Sequence, residues 1–299
     1  MAFVENDICL DQTVVALASA VGDVAIDLLV ICAPCQPFSS QNNKRGNDTR
    51  EYLIVEALKA AKVLQPRLIF FENVPGLAAP GNSSVLADLR LALSELKYHV
   101  SPPMVRDAAD YGVPQRRRRC IMVAAREEQA MFVFQGVKVE RPRMTVCDAI
   151  ADLMVLSSGE ADPNDAMHRA RNHQPIALER LRHIPPDGGS RRSLPDRLVL
   201  DCHRGKDAFP DVYGRMSWNL VAPTLTTGCC DITKGRFAHP DQDRALTLRE
   251  AARLQTFPDN YEFKGNASQV ARQIGNAVPP AMISAFAPAL DAALAIGSK

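Results

Sequence analysis

The feature that most constrains this fold is a pair of short, unbroken apolar runs, "DLLVICA" (27–33) and "RLIFFENV" (67–74). Runs of this length without polar alternation fit strands buried on both faces. Between them, "REYLIVEALKAAKVL" (50–64) carries apolar residues at helical spacing, and Pro66 stops it. The same rhythm runs on either side. "MAFVEND" (1–7) is a short strand candidate, and "CLDQTVVALASAV" (9–21) is helical. "NSSVLADLRLALSELKY" (82–98) is a helix, and "HVSPPMV" (99–105) and "RCIMVAAR" (119–126) are strands around a polar insert. This alternation predicts an α/β fold: an open, mostly parallel sheet with helices on both faces.

From about residue 127 the texture changes to Pro, Gly and charge. Residues 168–206 hold nine Lys/Arg against four Asp/Glu. The whole chain has a net charge of only +1, so a nucleic-acid surface must be a local patch such as this one. By itself the excess reads as a solvated face. "LTLREAARLQTFP" (246–258) is helical, and "QVARQIGNAVPPAMISAFAPALDAAL" (269–294) reads as a turn followed by an amphipathic helix. With no signal-peptide pattern and no apolar run long enough for a membrane span, the expectation is a cytoplasmic protein with eight reduced cysteines and no membrane partner.

Cys32 and Cys35 form a C-x-x-C pair. A redox dithiol opens a helix, but here Gln36-Pro37 and a polar stretch follow, so Cys35 sits on a loop beyond a strand. Zinc needs four ligands, usually in spaced pairs; Cys229-Cys230 is adjacent and Cys202-His203 stands alone, so no metal is expected. A single reactive thiol at the carboxyl edge of the sheet, where ligands bind in open α/β folds, remains.

Four stretches in order then carry a resemblance: Pro34-Cys35-Gln36-Pro37-Phe38-Ser39, Glu72-Asn73-Val74, Gln115-Arg116-Arg117-Arg118-Arg119 and Gly275-Asn276. Together they resemble the DNA (cytosine-5)-methyltransferase family over almost the whole chain. The resemblance implies a Rossmann-like core that uses S-adenosyl-L-methionine and a smaller, irregular, β-rich target-recognition domain. It implies Cys35 as nucleophile on carbon 6 of a flipped-out cytosine. Glu72 would act at N3 in protonated form, with a raised pKa. Arg117 would hold O2, with Arg119 bracing the loop and Arg116 and Arg118 facing phosphate or solvent. Cofactor contacts would come from Glu5, Asp23, Pro34, Leu53 and Asn276. Double-stranded DNA would meet Gln36, Ser39, Lys44, Arg45, Gln115, Thr224 and Leu225. Under this reading the basic excess faces DNA. Related enzymes with a similar core act on transfer RNA; Pro34-Cys35-Gln36 and the long recognition segment favour DNA.

The implied domains are 1–126 catalytic, 127–262 target recognition, and 263–299 returning to the catalytic domain. The family's glycine-rich Phe-x-Gly-x-Gly loop and first strand have no counterpart; Gly22 is the only glycine before Gly46. A late start codon, a second polypeptide supplying that motif, and a DNA-binding remnant each account for this. A companion restriction endonuclease is the further partner the resemblance implies, with nucleoid association when DNA is bound. A dithiol oxidoreductase using Cys32 and Cys35 is the reading from another class.

Overall fold

The computed structural model describes residues 4–33, 53–136, 141–205 and 209–297. The chain divides into two compact units, one built from 1–107, 118–139 and 286–299, the other from 108–117 and 140–285.

Unit 1 is an α/β layer structure. Its elements run α1 (Asp11–Val21), β1 (Leu28–Ile31), α2 (Leu53–Glu56), α3 (Leu58–Leu64), β2 (Leu68–Asn73), α4 (Ser83–Glu95), β3 (His99–Val100), β4 (Met104–Asp107), β5 (Arg118–Ala125) and α5 (Glu128–Gly136). The two apolar runs are β1 and β2, paired in parallel from Leu28↔Leu68 to Ile31↔Phe71. Every residue of β2 is buried, and the pleat explains why the run is unbroken. Ile69 and Phe71 pack with Ile54, Leu58, Leu89 and Leu93 of α2–α4. Phe70, on the other face, meets Phe134 of α5 at 6.2 Å and Phe286 at 5.9 Å between ring centroids. Burying one such side chain contributes roughly 1.5–3 kcal/mol, so both faces of β2 anchor helices.

The sheet is mixed rather than mostly parallel. Among the described strands, β1–β2 is the one parallel pair; β2, β3 and β4 all run antiparallel to β5. The cause lies in the connections. Only ten residues, 108–117, separate β4 from β5, too few for the crossover that a parallel pair needs. The strand expected at "MAFVEND" does not form over its described part; residues 4–7 are irregular. Among the described residues β1 has β2 as its single partner, and Val30 is half exposed. The helix expected at 50–64 is broken at Ala57 into α2 and α3, and it ends where Gln65 turns left-handed (φ 48°) before Pro66.

Unit 2 is irregular as expected but not β-rich. Its described helices are α6 (Val146–Ile150), α7 (Pro175–Arg182), α8 (Leu248–Leu254) and α9 (Ala267–Asn276), joined by turns, single 3-10 turns and isolated β-bridges. Prolines break up any ladder here, since each lacks a donor. Buried arginines take over the work of satisfying carbonyls. Arg215 donates to the carbonyl oxygens of Leu181, Ile184, His239 and Gln242. Arg244 forks onto Glu250 at 2.8 and 2.7 Å, both residues fully buried. Glu250 also closes a capping box with Thr247 at the start of α8.

The "QIGN" stretch, expected as a turn, is the last turn of α9. Asn266 and Gln269 cap its start, and Val270, Ala271 and Ile274 bury one face. α10 (Pro280–Leu294) follows. By composition alone residues 267–294 are long and apolar enough to cross a membrane. Here they form two helices, with Ile274 in the core of unit 2 and Phe286 in that of unit 1.

Candidate active site

In unit 1 the site residues gather where β2 ends. Glu72 is buried, and its Oε1 lies 2.6 Å from Nε of Arg119 on β5. The antiparallel register sets Glu72 opposite Ile121. The guanidinium stabilises the carboxylate charge in a setting that screens little. Beside it, Asn73 Nδ2 donates to the Ala33 carbonyl at 3.3 Å. That bond ties the end of β2 to the backbone leading out of β1. Cys35 is two residues further on and lies outside the described residues, as do Pro34, Gln36, Ser39, Lys44 and Arg45.

Cys32 keeps solvent access as a residue. Crowding around its thiol, the Glu72 charge and a hydrogen bond to that carboxylate push its pKa up to about 12, with Arg119 pulling the other way. Burial and the same charge push Cys120 to about 11. Cys32 is therefore a neutral thiol near pH 7, opposite in character to the lowered thiol of a redox dithiol.

In unit 2 a second set forms. The run 115–119 alternates in burial: Gln115, Arg117 and Arg119 are buried, while Arg116 and Arg118 are exposed. Arg117 donates to the carbonyls of Leu225 and Gly275, each at 2.9 Å. Gln115 accepts from the Leu225 N–H at 3.0 Å and donates to Leu254 and Gln255. Thr224 Oγ1 donates to the Arg116 carbonyl at 2.6 Å. The Thr224-Leu225 stretch is thus strapped to the arginine run. Gly275 permits it: a Cβ there would lie 2.4–2.5 Å from backbone atoms of Thr226 and Thr227.

The chain matches the C-5 cytosine-specific DNA methylases over residues 3–291. It belongs to that family. A type II methylase of Herpetosiphon aurantiacus, M.HgiDII, is 40% identical over 261 residues, 85% of this chain and 73% of that protein. The type II methyltransferase M.Eco47II of Escherichia coli is 34% identical over 265 residues, 85% of this chain and 61% of that one. A solved structure described as a DNA modification methyltransferase encoded in an E. coli prophage shares the fold, with a TM-score of 0.71, 23% identity, and 96% and 85% of the two chains covered.

Within this methylase the remaining expected residues scatter. Glu5 and Asp23 are exposed at either end of the α1 segment, Leu53 opens α2, and Asn276 closes α9 in unit 2. Of the residues expected to touch DNA, Thr224 is exposed, whereas Gln115 and Leu225 are fully buried with their polar groups engaged inside unit 2. Three roles went unread in the sequence. Asn73 as a tie was hidden in Glu-Asn-Val. Gln255, which donates to Ile274 and Ala277, was hidden in "RLQTFP". The Gly275 carbonyl as an arginine acceptor has no side chain to announce it. Among the described residues no group of three or more His, Cys, Asp and Glu is placed to hold a metal.

Proposed function

We propose that this chain methylates carbon 5 of a flipped-out cytosine in a specific double-stranded DNA sequence, through a covalent adduct with Cys35. The observation that carries the reading is the buried Glu72–Arg119 pair at the end of β2, tied through Asn73 to the backbone entering Pro34-Cys35. Thiolate attack on carbon 6 makes carbon 5 enamine-like, and charge builds on N3 and O2 of the ring. Glu72 serves N3 by donating a proton or hydrogen bond, and it can accept from the N4 amino group. Arg119 fixes that carboxyl and stabilises it while it is charged, so the proton it donates arrives as the base docks. Arg117 serves O2, held in a defined pose by the Leu225 and Gly275 carbonyls.

S-adenosyl-L-methionine supplies the methyl electrophile when bound. The donor set suits it: Glu5 and Asp23 are exposed carboxylates that form no ion pair among the described residues, leaving their acceptor capacity for ribose hydroxyls or an adenine amino group. Pro34, Leu53 and Asn276 complete the proposed contacts. Unit 2, with the basic stretch 168–206, is the target-recognition part. Gln115 and Leu225 position it, Thr224 faces outward, and Gln36, Ser39, Lys44 and Arg45 meet DNA from the loop after Cys35. A companion restriction endonuclease and a cytoplasmic, nucleoid-associated location follow from this reading.

The test is covalent trapping on duplex DNA containing 5-fluorocytosine, from which the carbon-5 substituent cannot leave as a proton. Wild-type protein with cofactor forms a denaturation-resistant adduct, and Cys35→Ser protein does not. Trapping that survives Cys35→Ser, or that occurs on RNA and not on DNA, refutes the assignment.

A further inference from the structure

One thiol pair in unit 2 takes no part in the reaction above. Cys229 and Cys230 are adjacent, and their sulfurs lie 3.9 Å apart. Cys229 is fully buried, while half-buried Cys230 lines a cavity of about 630 Å³ within unit 2. The pair therefore has an entrance. The same wall carries Arg169, Lys234 and Arg272, which are exposed and form no ion pair among the described residues. Arg171 is there too, paired with Asp231 at 3.1 Å. Cations without counter-charges attract anionic reactants.

The pair titrates as one dithiol. Cys229 gives up its proton below the usual thiol range because the Cys230 S–H donates to the thiolate formed, with Arg117 also nearby. The Cys230 proton is held well above that range by its hydrogen bond to Cys229, by burial and by the Cys229 charge. The negative charge thus rests on buried Cys229, and the Cys230 S–H donates to it.

We propose that Cys229 and Cys230 form a reversible redox site for a low-molecular-weight disulfide bearing carboxylates, which enters through this cavity. Cys230, passing its proton to the Cys229 thiolate that it hydrogen-bonds, attacks one sulfur of that disulfide; the external S–S bond breaks and one external thiolate leaves. Cys229 then attacks the Cys230 sulfur of the mixed disulfide, expels the second thiolate and closes a Cys229–Cys230 bond. The pair gives up two electrons and its two protons, and the external disulfide departs as two thiols.

Closure disturbs a segment with little slack. The sulfurs must move from 3.9 Å to about 2.05 Å. Meanwhile Cys229 N–H is bonded to the Thr226 carbonyl, Asp231 N–H to that of Gly228, and the Thr226–Thr227 backbone rests on Gly275. Leu225, next to this turn, holds Arg117. Oxidation therefore pulls on the stretch that presents Thr224. The site itself is independent of the methyl-transfer reading; its effect on DNA rests on that reading.

In the experiment, full-length protein is treated with glutathione disulfide or with neutral 2-hydroxyethyl disulfide, then alkylated and mapped by peptide mass spectrometry. DNA affinity is measured on the same samples. The peptide holding both residues escapes alkylation and runs two hydrogens below its unalkylated dithiol mass, faster with the anionic disulfide, and dithiothreitol reverses this. A K234Q/R272Q protein loses that preference. DNA affinity falls roughly tenfold on oxidation in wild type and is unchanged in Cys230→Ser protein. The proposal is overturned if both residues stay alkylatable while exposed Cys9 and Cys202 become modified, or if the two disulfides react equally fast. It is also overturned if oxidised and reduced proteins bind DNA alike. If the reduced protein binds no DNA, the DNA reading fails and the peptide map still decides the redox site.

Discussion

A carboxylate and a guanidinium 2.6 Å apart, both buried, close the end of β2, where we propose the chemistry takes place. Replacing Glu72 by Gln keeps the shape and one acceptor but removes the proton donor and the partner of Arg119. Glu72→Gln is expected to lower kcat by about 10²–10⁴-fold while DNA affinity stays near that of wild type; steady-state kinetics beside a binding titration separate the two. A parallel loss of affinity would mean that the pair only supports the fold. Burial at this scale was legible from motifs: Glu72, Arg117 and Arg119, singled out in the sequence, are buried charged residues. Orientation was only partly legible. Gln115 and Leu225 look like DNA contacts in sequence, yet their polar groups are consumed inside unit 2. A motif names a residue and leaves its direction to the packing around it.

Elements show the same division. β1, β2 and α4 were readable because a run buried on both faces, or one with helical spacing, has few other solutions. The antiparallel β5 was not, because strand direction depends on connection length and pairing rather than on composition. The β-rich expectation for unit 2 failed for a related reason: side chains of Arg215 and Arg244 occupy carbonyls that a ladder would otherwise use. α9 makes the point testable. Alanine for glycine within a helix ordinarily stabilises by about 1 kcal/mol. Here the new Cβ would sit 2.4 Å from the Thr226 backbone. Gly275→Ala is expected to destabilise by about 1–3 kcal/mol, read as a lower urea midpoint; a raised midpoint would show that the helix can move aside at no cost.

For the whole molecule, the buried charges of unit 2 predict acid sensitivity that begins above the carboxylate range. Burial, with Arg244 and Arg215 adding to it and Glu250 opposing, takes His239 from 6.5 down to about 4. The unfolded chain accepts that proton below pH 6.5 and the folded chain refuses it until about pH 4. Stability from this group is therefore full above 6.5 and falls by up to about 1.4 kcal/mol per pH unit through that window. Glu250, held below its ordinary 4.5 by Arg244 against the cost of its burial, adds its loss only at lower pH. Urea midpoints between pH 7 and 4.5 should fall in wild type and fall less in His239→Gln protein; a flat wild-type profile would contradict the assignment. The division into units has a further consequence, for the gene. The boundary at 117/118 crosses the arginine run, whose members alternate between buried and exposed. Substitution at an exposed member changes one side chain. A single-codon insertion or deletion there shifts the alternation for everything after it, turning Arg119 away from Glu72 and bringing Arg118 or Cys120 in its place. The reading frame of this stretch is thus as much a part of the site as its residues, whereas the irregular stretches of unit 2 can change length without inverting a face.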